Sequence, residues 1–204
     1  MQAITDLIMY FHKGGLVMWP LLACSVSVIA IAIERFIYYR SVDCKNGFVS
    51  SYCAAVRGKS IEAATELAKQ DAGSCARMLV DAAEMNGSKE QKSAYLEGQA
   101  GVFMATLRNK LDYLSIIVTM SPLLGLLGTI VGMIGAFSIF NVQAGAPLAI
   151  TGGIGEALIA TATGLCVAIL SLCAHSYFNH RMDNMITDME QCFNALLEAE
   201  ARRA

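Results

Sequence analysis

The sequence predicts an all-α fold: a polytopic membrane protein with three transmembrane helices extended into the cytoplasm. Three observations carry this. The chain has 204 residues, of which 55% are hydrophobic and 16% charged, a balance too apolar for a soluble domain of that length. Between Asp112 and Arg181 there is a single formal charge, Glu156. At about 1.5 Å of helix rise per residue and about 20 residues per crossing, that stretch holds two spans and a turn. A separate apolar run from Gly14 to Ile33, bounded by Lys13 and Glu34, supplies the other span.

In chain order, residues 1–13 place Ile4, Leu7, Ile8 and Phe11 at helical spacing with Thr5 and Asp6 opposite, a short amphipathic segment suited to a membrane surface. The first transmembrane helix follows at 14–39. It opens on glycines and lacks an Ala-x-Ala-like cleavage site, so it reads as a retained signal anchor. Trp19 and Pro20 near its start suit the headgroup region and a helix's first turn. Residues 40–112 read as short amphipathic helices over 59–69 and 74–85, broken at Gly58, Gly73 and Gly87. Ser88 starts a further helix that is expected to run into the second span, since nothing stronger than Gly98 or Gly101 interrupts it. The second transmembrane helix is assigned to 113–140, a turn to 141–147 (Asn141-Val-Gln-Ala-Gly-Ala-Pro147), and the third helix to 148–178. In the tail, 179–204, Met182, Met185, Ile186, Met189, Phe193, Leu196 and Leu197 keep helical register, a stripe for bundle or oligomer contact.

Eleven of the fifteen Lys and Arg residues lie between Arg35 and Lys110, three follow the third span, and only Lys13 precedes the first. The positive-inside rule then puts 40–112 and 179–204 in the cytoplasm, and 1–13 and the turn outside. The net charge of −2, with no basic cluster interleaved with aromatics, gives no nucleic-acid footprint. Seven scattered cysteines without a Cys-x-x-Cys pair read as free thiols. His12 stands alone, and His175 and His180, five residues apart, point to different faces of one helix. No metal site or His-based nucleophile is expected. Gly152-Gly-Ile-Gly-Glu156 has no following lysine and no preceding strand, so no nucleotide chemistry and no enzyme activity or cofactor is expected.

The candidate functional residues sit in the second and third spans. Ser121, Gly125, Gly128, Gly132 and Ala136 recur at three- and four-residue steps, with Thr129 beside them. Such a stripe serves close helix packing or the wall of a channel. In the opposite arm Glu156, Thr161 and Thr163 enter the membrane together. A charge at mid-bilayer costs about 2.5 kcal/mol or more; at the outer interface Glu156 would be hydrated and cheap. A membrane threonine can satisfy itself on the carbonyl three or four residues back. Glu156 and Thr161 lie about 140° apart around a helix axis, whereas Thr163 falls nearly under Glu156.

Those arms, Ser121-Pro-Leu-Leu-Gly-Leu-Leu-Gly-Thr-Ile-Val-Gly-Met133 and Gly155-Glu-Ala-Leu-Ile-Ala-Thr-Ala-Thr-Gly-Leu165, closely resemble the MotA/TolQ/ExbB group of proton-channel subunits, in its ExbB-like branch. Gly14-Gly-Leu-Val-Met-Trp-Pro-Leu-Leu22 and Ile33-Glu-Arg-Phe-Ile-Tyr-Tyr-Arg40 resemble the family's first helix and its cytoplasmic exit. The sequence departs at Leu170, where such proteins often carry a proline. The resemblance implies a multi-pass protein of the bacterial inner membrane, N-terminus periplasmic, assembled as a homopentamer. It implies that Thr129 and Thr161 line a central pore with Glu156 close by. It also implies a dimer of ExbD/TolR-like single-span partners carrying a membrane aspartate, and a TonB-like periplasm-spanning protein that receives the work. A structural scaffold would keep the glycine faces without needing the hydroxyls. A small-solute transporter would need inverted repeats that three spans do not show.

Overall fold

The computed structural model describes residues 14–45, 47–58, 60–142 and 147–202, so the amphipathic segment expected over 1–13 and most of the turn expected over 141–147 lie outside the described residues. Every regular element among them is an α-helix: α1 (Met18–Val42), α2 (Phe48–Arg57), α3 (Ile61–Lys69), α4 (Ser74–Glu84), α5 (Lys89–Arg108), α6 (Leu111–Val142) and α7 (Pro147–Ala201). Three stretches are long and apolar enough to cross a membrane, Met18–Val42, Lys89–Ser138 and Thr151–Ala201, and at most 33% of the most apolar window in each is buried. The chain forms two compact units, residues 14–33 with 110–177, and 34–109 with 178–202.

In the first unit α6 and α7 run antiparallel, since Gly125 meets Thr161 while Gly132 meets Gly153. Buried positions beside the glycines of this pair are small, Ser121, Ala136, Ala157 and Ala160, while larger side chains, Leu111, Leu114 and Ile117, are buried toward the start of α6. Small side chains bring the backbones together where lipid offers no hydrophobic drive. The buried hydroxyl of Ser171 donates to the Leu114 carbonyl at 2.9 Å, a polar tie across the same pair. The start of α1 joins through Val17, Met18 and Leu21, packed with Leu124 of α6.

The second unit is built as a soluble domain is. Helices α2 to α5 pack each on the next, and their apolar stripes bury Tyr52, Val56, Ala64, Leu79, Leu96 and Leu107. Local signals place the helix starts. The Ser60 hydroxyl accepts from the Ala63 N–H at 3.2 Å ahead of α3, and Ser88 with Gln91 forms a reciprocal capping box ahead of α5. From α7, Glu200 pairs with the buried Lys92 at 2.5 Å, and Arg181 pairs with Asp43.

One expectation from sequence is corrected here. The helix beginning after Ser88 does not continue unbroken into the second span: α5 stops at Arg108, and Lys110 adopts a left-handed φ of 70° before α6 begins. Neither Gly98 nor Gly101 causes the interruption, as both lie within α5. The cause is a residue distant in sequence. Buried Arg35 donates to the carbonyls of Thr106 at 3.1 Å and Leu107 at 3.4 Å, and the Tyr39 hydroxyl donates to Leu107 at 2.9 Å. These are carbonyls that a helix end leaves without intrahelical donors, so a cation and a hydroxyl there stabilise termination.

Candidate functional site

The small-residue stripe of α6 faces α7 of the same chain. A Cβ added at Gly125 would lie 3.1 Å from the Thr161 Cα and 3.2 Å from the Ala160 carbonyl oxygen. One at Gly128 would collide with the Ala160 Cβ, and one at Gly132 would sit 3.1 Å from the Gly153 carbonyl oxygen. Gly164 reciprocates from α7, where a Cβ would come within 2.5 Å of the Ser121 carbonyl oxygen. The stripe is therefore filled from within the chain, by α7, and serves close helix packing there. Ser121 is fully enclosed, and its hydroxyl has no hydrogen-bond partner.

Each threonine hydroxyl finds a backbone acceptor. Thr129 donates to Leu126 at 2.7 Å and Thr163 to Ile159 at 2.8 Å. Thr161 differs in having two acceptors at 3.2 Å, Ala157 one turn back and Gly125 across on α6. Its hydroxyl thus sits at the seam between the helices, at the point where glycine removes every intervening side-chain atom. Thr129 and Thr161 share no partner.

Glu156 is half-buried and lies against Gly15, so closely that any side chain at Gly15 would collide with the carboxylate. Gly15 has φ 71°, a left-handed conformation that favours glycine, and its carbonyl accepts from the Met18 N–H at 3.2 Å as α1 begins. The carboxylate is therefore level with the N-terminal end of α1, where exposed N–H groups favour a negative charge. Sequence reasoning marked Glu156 but missed Gly15; the doubled glycine at 14 and 15, ahead of an apolar run, was the available signal. Arg35 was missed as well. It read only as part of a basic exit from the first span, and nothing local indicated the helix end it binds. Among the described residues no three His, Cys, Asp or Glu side chains are grouped so as to hold a metal ion.

Comparison with known proteins adds four findings. Residues 66–191 match the family described as the MotA/TolQ/ExbB proton channel family. A Synechocystis protein named ExbB-like 3 is 32% identical over 164 residues, 78% of each chain. The biopolymer transport protein exbB1 of Vibrio cholerae is 27% identical over 187 residues, 88% of this chain and 82% of that one. The Tol-Pal system protein TolQ of Haemophilus influenzae is 36% identical over 84 residues, 41% of this chain and 37% of its own.

Proposed function

Since the chain belongs to the MotA/TolQ/ExbB proton channel family, we propose that it is the channel and stator subunit of an ExbB-type motor in the bacterial inner membrane. With an ExbD/TolR-like partner it converts the proton motive force into mechanical work for energy-dependent outer-membrane transport, passed on through a TonB-like protein. The observation that carries this reading is the Thr161 hydroxyl at the α6–α7 seam, with a half-buried carboxylate, Glu156, on the same helix and no other formal charge between Asp112 and Arg181. An isolated packing pair gains nothing from a membrane carboxylate that is expensive to bury.

The broad apolar surface left outside this pair supports self-association as a homopentamer, because one three-span chain has too little wall to enclose a pore. Its glycine stripe being occupied, the pore in this reading is lined by faces flanking the seam, with Thr129 on one side. The partner dimer's aspartate carries the proton. Moving one elementary charge across 100 mV releases about 2.3 kcal/mol, and the partner turns within the ring. The basic regions are cytoplasmic and the N-terminus periplasmic, on the charge asymmetry alone. In this orientation Glu156, level with the start of α1, serves the outer mouth, and Thr161 lies deeper.

The test separates this function from a scaffold. Thr129→Val and Thr161→Val remove a hydroxyl without changing shape, and Thr161→Ser restores it at position 161. Growth that depends on an energised outer-membrane process should fall sharply in both valine variants and return in the serine variant. Glu156→Gln should be milder. Pull-down of the partner subunit should remain intact throughout. Normal growth of both valine variants with an intact complex leaves the hydroxyls no role in conduction and favours the scaffold.

A further inference from the structure

Four of the seven cysteines, scattered in sequence over Cys44, Cys53, Cys75 and Cys192, come together in the unit of residues 34–109 and 178–202. Cys44 lies in the connection after α1, Cys53 on α2, Cys75 in the first turn of α4 and Cys192 on α7. Cys44 neighbours Cys75, Cys75 neighbours Cys192, and Cys192 neighbours Cys53, each thiol acting on the protonation of the next. This is a chain of thiols, not a tetrahedral cage, and it does not form a metal-holding group. A cavity of about 1070 Å³ opens onto Cys44, Cys53 and Cys75. The Tyr52 hydroxyl, buried in the same neighbourhood, has no hydrogen-bond partner.

The members are unequal. Cys75 and Cys192 are buried, while Cys44 and Cys53 are half-exposed. The Cys44 thiol is held below its ordinary range, first by the hydrogen bond from Cys75 and further by the Ala76 N–H at the start of α4, against the opposing effects of burial, Asp71 and Asp43. A helix N-terminus and a donated hydrogen bond both favour the thiolate. Lys45, Arg57 and Arg181 line the same cavity, together with Asp43, Asp188 and Glu198. Cys53 is pushed the other way, by burial and by Cys192. The Cys44 backbone is also fixed in place. Both Lys45 N–H and Gly73 N–H donate to the Asp71 carboxylate, at 2.9 and 2.8 Å, and a Cβ at Gly73 would lie 2.8 Å from the Cys44 Cα. That contact brings the connection after α1 against the residues that open α4.

We propose that Cys44 and Cys75 are a peroxide-responsive thiol pair, which on oxidation joins the connection after α1 covalently to the first turn of α4. The Cys44 thiolate attacks one peroxide oxygen. An S–O bond forms, the O–O bond breaks, and the leaving hydroxide takes a proton to become water. Cys75 sulfur then attacks the sulfenic sulfur: the S–S bond forms, the S–O bond breaks, and hydroxide leaves as water with the Cys75 proton. Two thiols and one hydrogen peroxide give one disulfide and two waters, the sulfurs losing two electrons and the peroxide gaining them. Conversion of Cys44 to the neutral sulfenic acid removes one of the influences that keep Cys75 protonated, and the unpartnered Tyr52 hydroxyl gives the cluster a further hydrogen-bonding group.

The experiment uses the full chain in native membrane vesicles, exposed briefly to micromolar hydrogen peroxide, alkylated, digested and mapped by mass spectrometry. The expected product is a Cys44–Cys75 disulfide that dithiothreitol reverses, at least ten-fold more abundant than oxidation at Cys53, Cys166 or Cys173. Cys75→Ser should leave a sulfenic acid at Cys44 that dimedone traps, and Cys44→Ser should leave Cys75 reduced. Wild-type mapping stands on its own if Cys75→Ser does not fold. Oxidation spread evenly over the exposed cysteines, a Cys75–Cys192 link in place of Cys44–Cys75, or an unreacted Cys44 at peroxide levels that oxidise glutathione in the same tube overturns the proposal.

Discussion

In the unit of residues 14–33 and 110–177, Ala136, Ala157 and Ala160 are buried while Leu123, Ile134 and Leu158 stand 64%, 61% and 65% exposed. In the unit of residues 34–109 and 178–202 large side chains, Tyr52, Leu79, Leu96 and Leu196, are enclosed beside small ones, Ala64, Ala76 and Ala82. The close α6–α7 contact of the first unit is filled by small side chains and the interior of the second also by large ones, a difference that follows if lipid surrounds the one and water the other. Water drives large apolar side chains inward at about 25 cal/mol per Å² removed from it. Hydrocarbon does not, so there the gain comes from backbone proximity and from the few interhelical hydrogen bonds such as that of Ser171. Stability in the first unit should therefore fail when bulk is added, and in the second when a buried partner is taken away.

The largest effect should follow from adding bulk to the seam. Gly128→Leu drives a side chain into the Ala160 Cβ, a backbone-fixed atom with nowhere to move. Overpacking of this kind costs about 1–3 kcal/mol, and here the upper end is expected because the blocking atom is fixed to the backbone. Gly135, on the same helix, has nothing within 4 Å of its added Cβ, so Gly135→Leu is the matched control. Native mass spectrometry from mild detergent should show assembled protein for wild type and Gly135→Leu, and none for Gly128→Leu. Equal loss in both variants would mean that the outer face of α6 is also a packing surface, and the contrast between seam and exterior would have to be redrawn.

That seam was legible in the sequence because its signal is periodic and local: small residues at three- and four-residue steps need only helix geometry to be placed on one face. Which object fills the face was not legible. Glycine spacing specifies close approach and leaves the neighbour's identity open, and α7 of the same chain proved to be that neighbour. The same limit applied at Thr161, whose second acceptor, the Gly125 carbonyl, lies 36 residues away in sequence. In the second unit, the helix start at Ser88 could be read from its residues, whereas the stop at Arg108 could not. Its determinant, Arg35, is separated from Leu107 by 72 positions. The gathering of four cysteines was hidden for the same reason, since their spacing follows no motif and four elements bring them together.

An intermediate effect should come from removing a partner in the second unit. Lys92 is 9% exposed at its side chain and Glu200 is 18% exposed, so Lys92→Ala strands a carboxylate largely out of water. Breaking a buried pair from one side costs on the order of 3 kcal/mol, and the remaining access to water brings this to about 2 kcal/mol. Lys92→Met with Glu200→Leu, which removes both charges and keeps volume, should recover most of the loss. Denaturant melts followed by proteolysis within residues 61–107 provide the measurement. A double variant as weak as the single one would show that the pair does more than satisfy itself, and that this unit is not governed by burial alone.

The smallest effect tests whether charge in the second unit is tuned for stability at all. Asp188, on an exposed part of α7, has its carboxyl raised above the ordinary range, first by partial burial and then by Asp43, with Arg181 opposing. A carboxyl whose folded pKa is raised binds protons more readily when folded, so stability falls as pH rises through the window from the unfolded value, about 3.9, up to the folded one. Above that window the penalty is complete, and below it both states are protonated and the penalty vanishes. Asp188→Asn deletes the penalty, so the variant should melt slightly higher than wild type at pH 7 and at the same temperature near pH 3, below the window. The gain is small because water screens the site. Scanning calorimetry of both proteins in one detergent across that range gives the answer: a variant less stable than wild type at pH 7 would make the attraction to Arg181 the dominant influence on Asp188 and reverse the sign argued here.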